Sequence, residues 1–305
     1  MTEQIVEITK DACHLALDRG FMTVRHEGQE LGRVPLDTIS AVIANAHGVT
    51  YTNNLLVQLA KQNSIFVFCG SNHAPVAYLW SVDGFYQQAG RMEAQVKASV
   101  PTVKRLWQQI VKSKVSHQAV IIEALGQPVT PIRALVAQVK SGDPDNIEAQ
   151  AARRYWPMVF GDEFRRDQDA NGVNALLNYG YTIIRSTVAR SVMAAGMHPS
   201  FGLHHSNTMN AMRLVDDLME PFRPYVDFCV YHLKQAGKEE VTPETKRILA
   251  GLAEMEMIGS RGATSLRQCT QNLAISLAQV FLGEVEELDI PDPQPPLWRY
   301  QPAQS

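Results

Sequence analysis

Three short segments of this chain carry side chains able to bind a metal ion. The first is DPDNIEAQAARRYW (143–156). Asp145 or Asn146 can cap a helix there, which puts Glu148 in its first turn and Arg153 and Arg154 one to two turns later. The second is Gly202-Leu203-His204-His205-Ser206-Asn207, where a Pro-Ser-Phe-Gly run brings two histidines to the start of a predicted helix. A neutral imidazole is a common ligand of transition metals. The third is LVDDLMEPFRPYVD (214–227), where Asp216, Asp217 and Glu220 stand at three- and four-residue spacings and can share a helix face. Acids so close repel one another, and a bound cation would remove that cost.

Carboxylate, imidazole and carboxylate without thiolate is a poor donor set for structural zinc. It suits Mg²⁺ or Mn²⁺, ions that also bind phosphate oxygens. Such an ion can activate a hydroxyl and stabilise charge on a phosphoryl group. Arg153, Arg154, Arg185, Arg190 and Arg223 are candidate phosphate donors. Each segment alone also fits an ordinary surface role, and spacing leaves open whether the three converge.

The elements that must position these residues fall into two blocks. The first eighty or so residues read as β-rich. HLALDR (14–19) and FMTVRH (21–26) flank Gly20 as a hairpin, and short apolar runs follow at 38–46, 65–69 and 75–80. Thr52 can cap one helix over 53–63. From Tyr86 the period becomes helical. In 90–125, Leu106, Ile110 and Val111 share one face, and Pro101 can kink or divide the stretch. Further helices are predicted at 130–140, 147–156, 172–195, 207–219, 222–235, 243–255 and 263–281, with Leu214, Val215 and Leu218 facing the core. The domains are therefore a β-rich unit over 1–85, a helical unit over 86–285 and a proline-rich tail over 286–305 that is expected to be extended or disordered.

Composition excludes several classes. The chain is 45% hydrophobic and 19% charged, an ordinary globular balance. No apolar run is long enough to span a membrane, and the acidic N-terminal segment does not resemble a signal peptide. Cys13, Cys69, Cys229 and Cys269 are scattered, so neither a disulfide framework nor a zinc ribbon is expected, and a reducing cytoplasm is the simplest setting. The net charge of −3 argues against a nucleic-acid partner, but residues 86–190 hold 14 Lys/Arg against 9 Asp/Glu. That local excess is compatible with a phosphate-binding face.

At the residues above the chain resembles the CRISPR-associated spacer integrases, the "Cas-one" family. An acid opening an EA-x-x-AR-x-YW-like helix is similar to Glu148-Ala149-Gln150-Ala151-Ala152-Arg153-Arg154-Tyr155-Trp156. An asparagine before a Leu-Asn-Tyr-Gly-Tyr run resembles Asn171 and Leu177-Asn178-Tyr179-Gly180-Tyr181. A proline, glycine and histidine signature resembles Pro199, Gly202 and His205, and DDLMEPFRP (216–224) looks most like the type II branch. The likeness covers nearly the whole chain. It implies an α+β protein, with a small N-terminal β-sandwich-like domain for dimerisation and DNA contact and a larger all-α catalytic domain. It implies a metal held by Glu148, His205 and Glu220, with Asp217 secondary, and His205 preferred to His204 because it stands three residues after Gly202. It further implies a homodimer, a "Cas-two" dimer bridging two such dimers, other type II adaptation proteins, and duplex DNA whose 3′-hydroxyls join a CRISPR array.

A DNA path is expected along Arg91, Lys97, Lys104, Arg105, Lys112 and Lys114, with Arg153, Arg154, Arg185 and Arg223 as further contacts. Trp107 and Trp156 read as core. The resemblance also implies an aromatic ring of the N-terminal domain that brackets the duplex ends; Phe21 and Tyr51 are the candidates, and core packing is the better reading of both. Two other functions fit the residues. One is a DNA-binding scaffold without a working metal site. The other is a metal-dependent phosphodiesterase of small substrates, whose binding should depend less on salt.

Overall fold

A computed structural model of the chain describes residues 4–70, 75–79, 81 and 88–296. The chain divides into two compact units, residues 1–88 and 89–305. Trp80 and most of the expected junction between the blocks lie outside the described residues, as do residues 297–305 of the tail.

The first unit holds β1 (Gln4–Ile8), β2 (His14–Asp18), β3 (Phe21–His26), β4 (Gln29–Pro35), β5 (Ile39–Ala44), β6 (Thr50–Tyr51), α1 (Asn53–Lys61), β7 (Ile65–Cys69) and β8 (Pro75–Leu79). They form two four-stranded sheets, ordered β1-β5-β7-β8 and β4-β3-β2-β6. Gly20 turns the β2–β3 hairpin in the left-handed region, φ 85°, where a side chain would be strained. Thr52 caps α1 by accepting the amide of Leu55. Leu15 and Met22 from one sheet, Val42 and Phe66 from the other, and Leu55 and Leu59 of α1 share one core. This is the sandwich-like arrangement expected. Tyr51 departs from expectation: it is exposed, its ring set edge-on against Phe66 and Phe68. β6 is only two residues long and lies at the sheet edge, so its side chain has one covered side.

The second unit holds α2 (Gln88–Val96), α3 (Val100–Ala124), α4 (Thr130–Val136), α5 (Ile147–Phe160), α6 (Val173–Ala194), α7 (Arg213–Met219), α8 (Arg223–Gln235), α9 (Pro243–Ala250), β9 (Glu256–Gly259), β10 (Gly262–Ser265) and α10 (Leu266–Leu282). Pro101 neither kinks nor divides a helix. It sits in the first turn of α3 behind the Ser99 cap, where a missing N–H costs nothing. α5 runs past Trp156 and Pro157 because Val159 and Phe160 are buried. Trp156 itself is only half-buried, against Phe160 and Phe164, whereas Trp107 is fully buried. α7 begins six residues late. Asn207 and Asn210 accept the amides of Met209 and Met212, a local bonding that competes with helix. The last helix also starts late, at the Ser265 cap, and residues 262–265 instead pair with β9.

α6 lies buried among α7, α8, α9 and α10. Gly180 makes this possible, since a Cβ there would collide with Val226 of α8. The start of the tail is tied down. The amides of Leu288, Asp289 and Asp292 donate to Gln109, to the Ser276 hydroxyl and to the Ile258 carbonyl. No described helix is long and apolar enough to cross a membrane.

Candidate active site

Glu148 is aimed by the turn before it. Gly142, Asp143 and Asn146 all have left-handed backbone, and the buried Asp143 folds over the start of α5. Its two carboxylate oxygens accept the amides of Ile147 (2.8 Å) and Glu148 (3.0 Å), while Asn146 accepts that of Ala149 (3.2 Å). Three amides without helical partners are thus satisfied, and the first turn is fixed. Glu148 Oε1 then accepts from Lys114 Nζ at 2.6 Å.

Lys114 reaches this point from the middle of α3. Its Nζ also lies 2.5 Å from Glu220 Oε2. Glu220 opens the 3-10 turn that ends α7 and is buried, with 5% of its side chain exposed. Oε1 of Glu220 accepts from Arg223 Nε at 2.7 Å. Oε2 faces the Lys114 ammonium in a short charge-assisted contact. Burial alone would raise the pKa of Glu220, yet Arg223 and Lys114 override it and bring it down to about 2. Burial likewise works to lower that of Lys114, and the carboxylates of Glu220 and Glu148 outweigh it and raise it. Both groups are charged at neutral pH.

His205 is held by Asp217. This carboxylate is fully buried on α7. Its Oδ2 accepts the amides of Leu203 (2.6 Å) and His204 (3.1 Å), and Oδ1 accepts the amide of His205 (3.2 Å) and faces His205 Nδ1 at 2.6 Å. That hydrogen bond is the main cause of a raised His205 pKa, with burial opposing it and the charges of Asp217, Glu220 and Asp216 adding to it. A Cβ on Gly202 would sit 2.7 Å from Asp217 Oδ2, so the loop closes over the carboxylate only with glycine there. His204 stacks its ring on Trp107 with centroids 4.4 Å apart, while His205 lies edge-on to the same ring at 6.2 Å.

The loop before His205 is gripped by α2. Buried Gln95 donates to the carbonyls of His198 and Phe201 and accepts the His198 amide, while Arg91 donates to the Ala195 carbonyl. Behind Glu220, the Arg223 guanidinium lies 4.6 Å from the centroid of the Tyr181 ring. The Tyr181 hydroxyl donates to Asp227 (2.5 Å), whose pKa is pushed up to about 7 by burial.

The predicted residues therefore sort by place. Glu148 and Glu220 meet on one ammonium, and His205 stands within the electrostatic reach of Glu220. Asp217 has both oxygens committed to the histidine loop, which gives it a positioning task. The repulsion expected among Asp216, Asp217 and Glu220 is relieved by the chain's own groups: Arg185 pairs with Asp216, His205 faces Asp217, and Arg223 and Lys114 flank Glu220. Among the supposed DNA contacts, Lys114 turns inward and Arg91, Arg185 and Arg223 are bonded within the unit. Lys104, Arg105, Arg153 and Arg154 are exposed, with Arg154 bonded to the Pro131 carbonyl. Sequence reasoning missed Asp143, Gln95 and the inward role of Lys114. For Lys114 the signal was present, four residues after Ile110 and three after Val111, on the buried stripe of α3.

Among the described residues no group of three His, Cys, Asp or Glu side chains is placed to hold a metal ion. The donor chemistry nevertheless fits a hard divalent ion. Two carboxylates converge on a point already bearing positive charge, and carboxylate oxygens are the donors such an ion takes. Asp217 on His205 Nδ1 leaves Nε2 as the nitrogen that could ligate an ion, as in carboxylate–histidine pairs of metal sites.

A β unit of two sheets followed by a helical unit with an acid–histidine site defines a class of protein, and similarity to known chains narrows it. The family model described as CRISPR associated protein Cas1 matches residues 6–245, and the chain belongs to that family. It is 36% identical over 239 residues to the CRISPR-associated endonuclease Cas1 of Neisseria meningitidis, covering 77% of this chain and 78% of the other. Its fold is similar to that of a casposase bound to integration product, with TM-score 0.81, 18% identity, and 98% and 96% of the two chains covered. It is also similar to a chain of a Cas6-RT-Cas1–Cas2 complex, with TM-score 0.75 and 17% identity, over 95% of this chain and 36% of that one.

Proposed function

We propose that this chain is a metal-dependent DNA integrase and endonuclease of CRISPR adaptation, and that it inserts short foreign-DNA spacers into a CRISPR array. The observation that carries this reading is the meeting of Glu148 and Glu220 on one cationic point beside a carboxylate-held histidine. Glu148, Glu220 and His205 would hold Mg²⁺ or Mn²⁺, which would lower the pKa of an incoming 3′-hydroxyl and polarise the scissile phosphate. Asp217 fixes the ring orientation of His205. Arg223, clamped between Glu220 and Tyr181, supplies fixed positive charge where phosphoryl charge grows. The spacer 3′-oxygen attacks the repeat phosphorus in line as the bond to the repeat's own 3′-oxygen breaks. One phosphodiester replaces another, and the hydroxyl proton ends on the departing oxygen.

Partners follow from the same reading. They are a second copy of this chain, a Cas2 dimer bridging two such dimers, other type II adaptation proteins, and duplex DNA as both spacer precursor and leader-repeat target. The Cas1–Cas2 complex and the casposase with integration product among the similar folds support it. The deciding experiment incubates Glu148→Ala protein with spacer DNA, Cas2, Mn²⁺ and a supercoiled CRISPR plasmid. Joined product should disappear; joining at the wild-type rate refutes the site.

A second reading is favoured by the internal pairing of every site acid: a DNA-binding scaffold in which these acids serve only the fold. It predicts wild-type duplex binding, no joining by the wild-type chain, and no Mn²⁺ uptake dependent on Glu148.

A further inference from the structure

The Lys114 ammonium stands at the point that the two carboxylates share. It lies 2.6 Å from Glu148 Oε1 and 2.5 Å from Glu220 Oε2, with 11% of its side chain exposed. Toward Glu148 it makes an aligned hydrogen bond. Toward Glu220 it makes a second short ion pair, so one ammonium bridges both carboxylates. A divalent ion takes carboxylate oxygens as its ligands, so it would compete with the ammonium for the same two atoms.

Charge makes the same point. Glu148 and Glu220 are balanced by Lys114 and Arg223, so the four side chains are neutral together. A divalent ion placed on both carboxylates would leave two excess positive charges in a largely buried space, unless a cation leaves. Arg223 is poorly suited to leave, being bonded to Glu220 Oε1 and packed on the Tyr181 ring. Lys114 has a flexible four-carbon stem, and its described polar contacts are the two carboxylates themselves.

We infer that Lys114 is a tethered stand-in cation, which holds Glu148 and Glu220 in ligand posture and is displaced when the divalent ion binds. Metal uptake is then an exchange rather than a simple addition, and it releases the lysine from its ion pairs. The inference rests on the metal-site reading above.

The test uses the full chain without nuclease turnover. Mn²⁺ binding is measured from the EPR signal of the free ion, and melting is followed with and without Mn²⁺. Lys114→Met should bind Mn²⁺ at least tenfold more tightly than wild type. It should melt lower without the ion and gain more from it. Equal or weaker Mn²⁺ binding overturns the inference, since a lysine that only supports the fold or the metal would give that result. If the methionine variant does not fold, Lys114→Gln serves with the same expectation. An amine-reactive label read by mass spectrometry on wild type adds an independent arm: labelling of Lys114 should rise several-fold with Mn²⁺, and unchanged labelling counts against displacement. Glu148→Gln separates the two claims. If wild type takes up no Mn²⁺, or Glu148→Gln binds it as well, the metal reading falls and this inference with it. If that variant loses the ion but Lys114→Met binds no more tightly than wild type, only the role of Lys114 falls.

Discussion

Replacing Asp217 by Asn probes the site where it is most constrained. The carboxylate accepts three backbone amides and faces His205 Nδ1, and none of its surface is exposed. An Asn at this position keeps one acceptor oxygen and turns an NH₂ group toward donors that the other oxygen had satisfied. Two bonds to a charged acceptor are lost, at 1.5–3 kcal/mol each, so the variant should be less stable by about 3–6 kcal/mol. For a unit of this size that corresponds to a melting temperature lower by at least about 6 °C. The assay is thermal unfolding with Mn²⁺ titration on the same samples. Mn²⁺ binding should weaken roughly 10–100-fold and persist, the signature of a group that orients a ligand. Unchanged melting and unchanged Mn²⁺ binding would refute this account of the loop. Complete loss of binding in a folded variant would make Asp217 a ligand itself.

Two further outcomes follow from the fold around the site. Gly180→Ala forces a Cβ into Val226 and should destabilise the helical unit by about 1–3 kcal/mol, read as a lower urea midpoint; an unchanged midpoint would show that α6 and α8 can separate freely. Asp227 should make stability fall with rising pH. Its folded pKa of about 7 exceeds the ordinary 3.8, so between those values the folded chain holds a proton that the unfolded chain has released, and the cost is complete above pH 7. That displacement corresponds to roughly 4 kcal/mol, so Asp227→Asn should raise the melting temperature at pH 8 and not at pH 4. An equal change at both pH values would place the effect in packing instead.

The course of the fold was legible wherever local chemistry decided it. The hairpin at Gly20, the cap at Thr52 and the buried face of α7 could be read because each depends on residues a few positions apart. The start of α7 was misread because side chain–backbone bonds at Asn207 and Asn210 outcompete the helix. The site was legible in its ligand types but not in its company. Glu148 is aimed by Asp143, His205 by Asp217, and the loop before it by Gln95 from about a hundred residues away. Asp143 acts from five residues away, Asp217 from twelve and Gln95 from another helix altogether, and a helical period carries no record of any of them. The one distant partner that did leave a trace was Lys114. A charged residue on a buried stripe needs a counter-charge, and that requirement outranks its basic neighbours on the surface.

The grip of α2 on the loop before His205 has a consequence for how this region can change over time. Gln95 and Arg91 recognise carbonyls and an amide, groups that every residue other than proline presents alike. The hold is therefore indifferent to the side chains of the loop it restrains. Substitutions at the exposed Phe201 can accumulate and alter what the rim offers to a partner, while the histidine that follows stays in place.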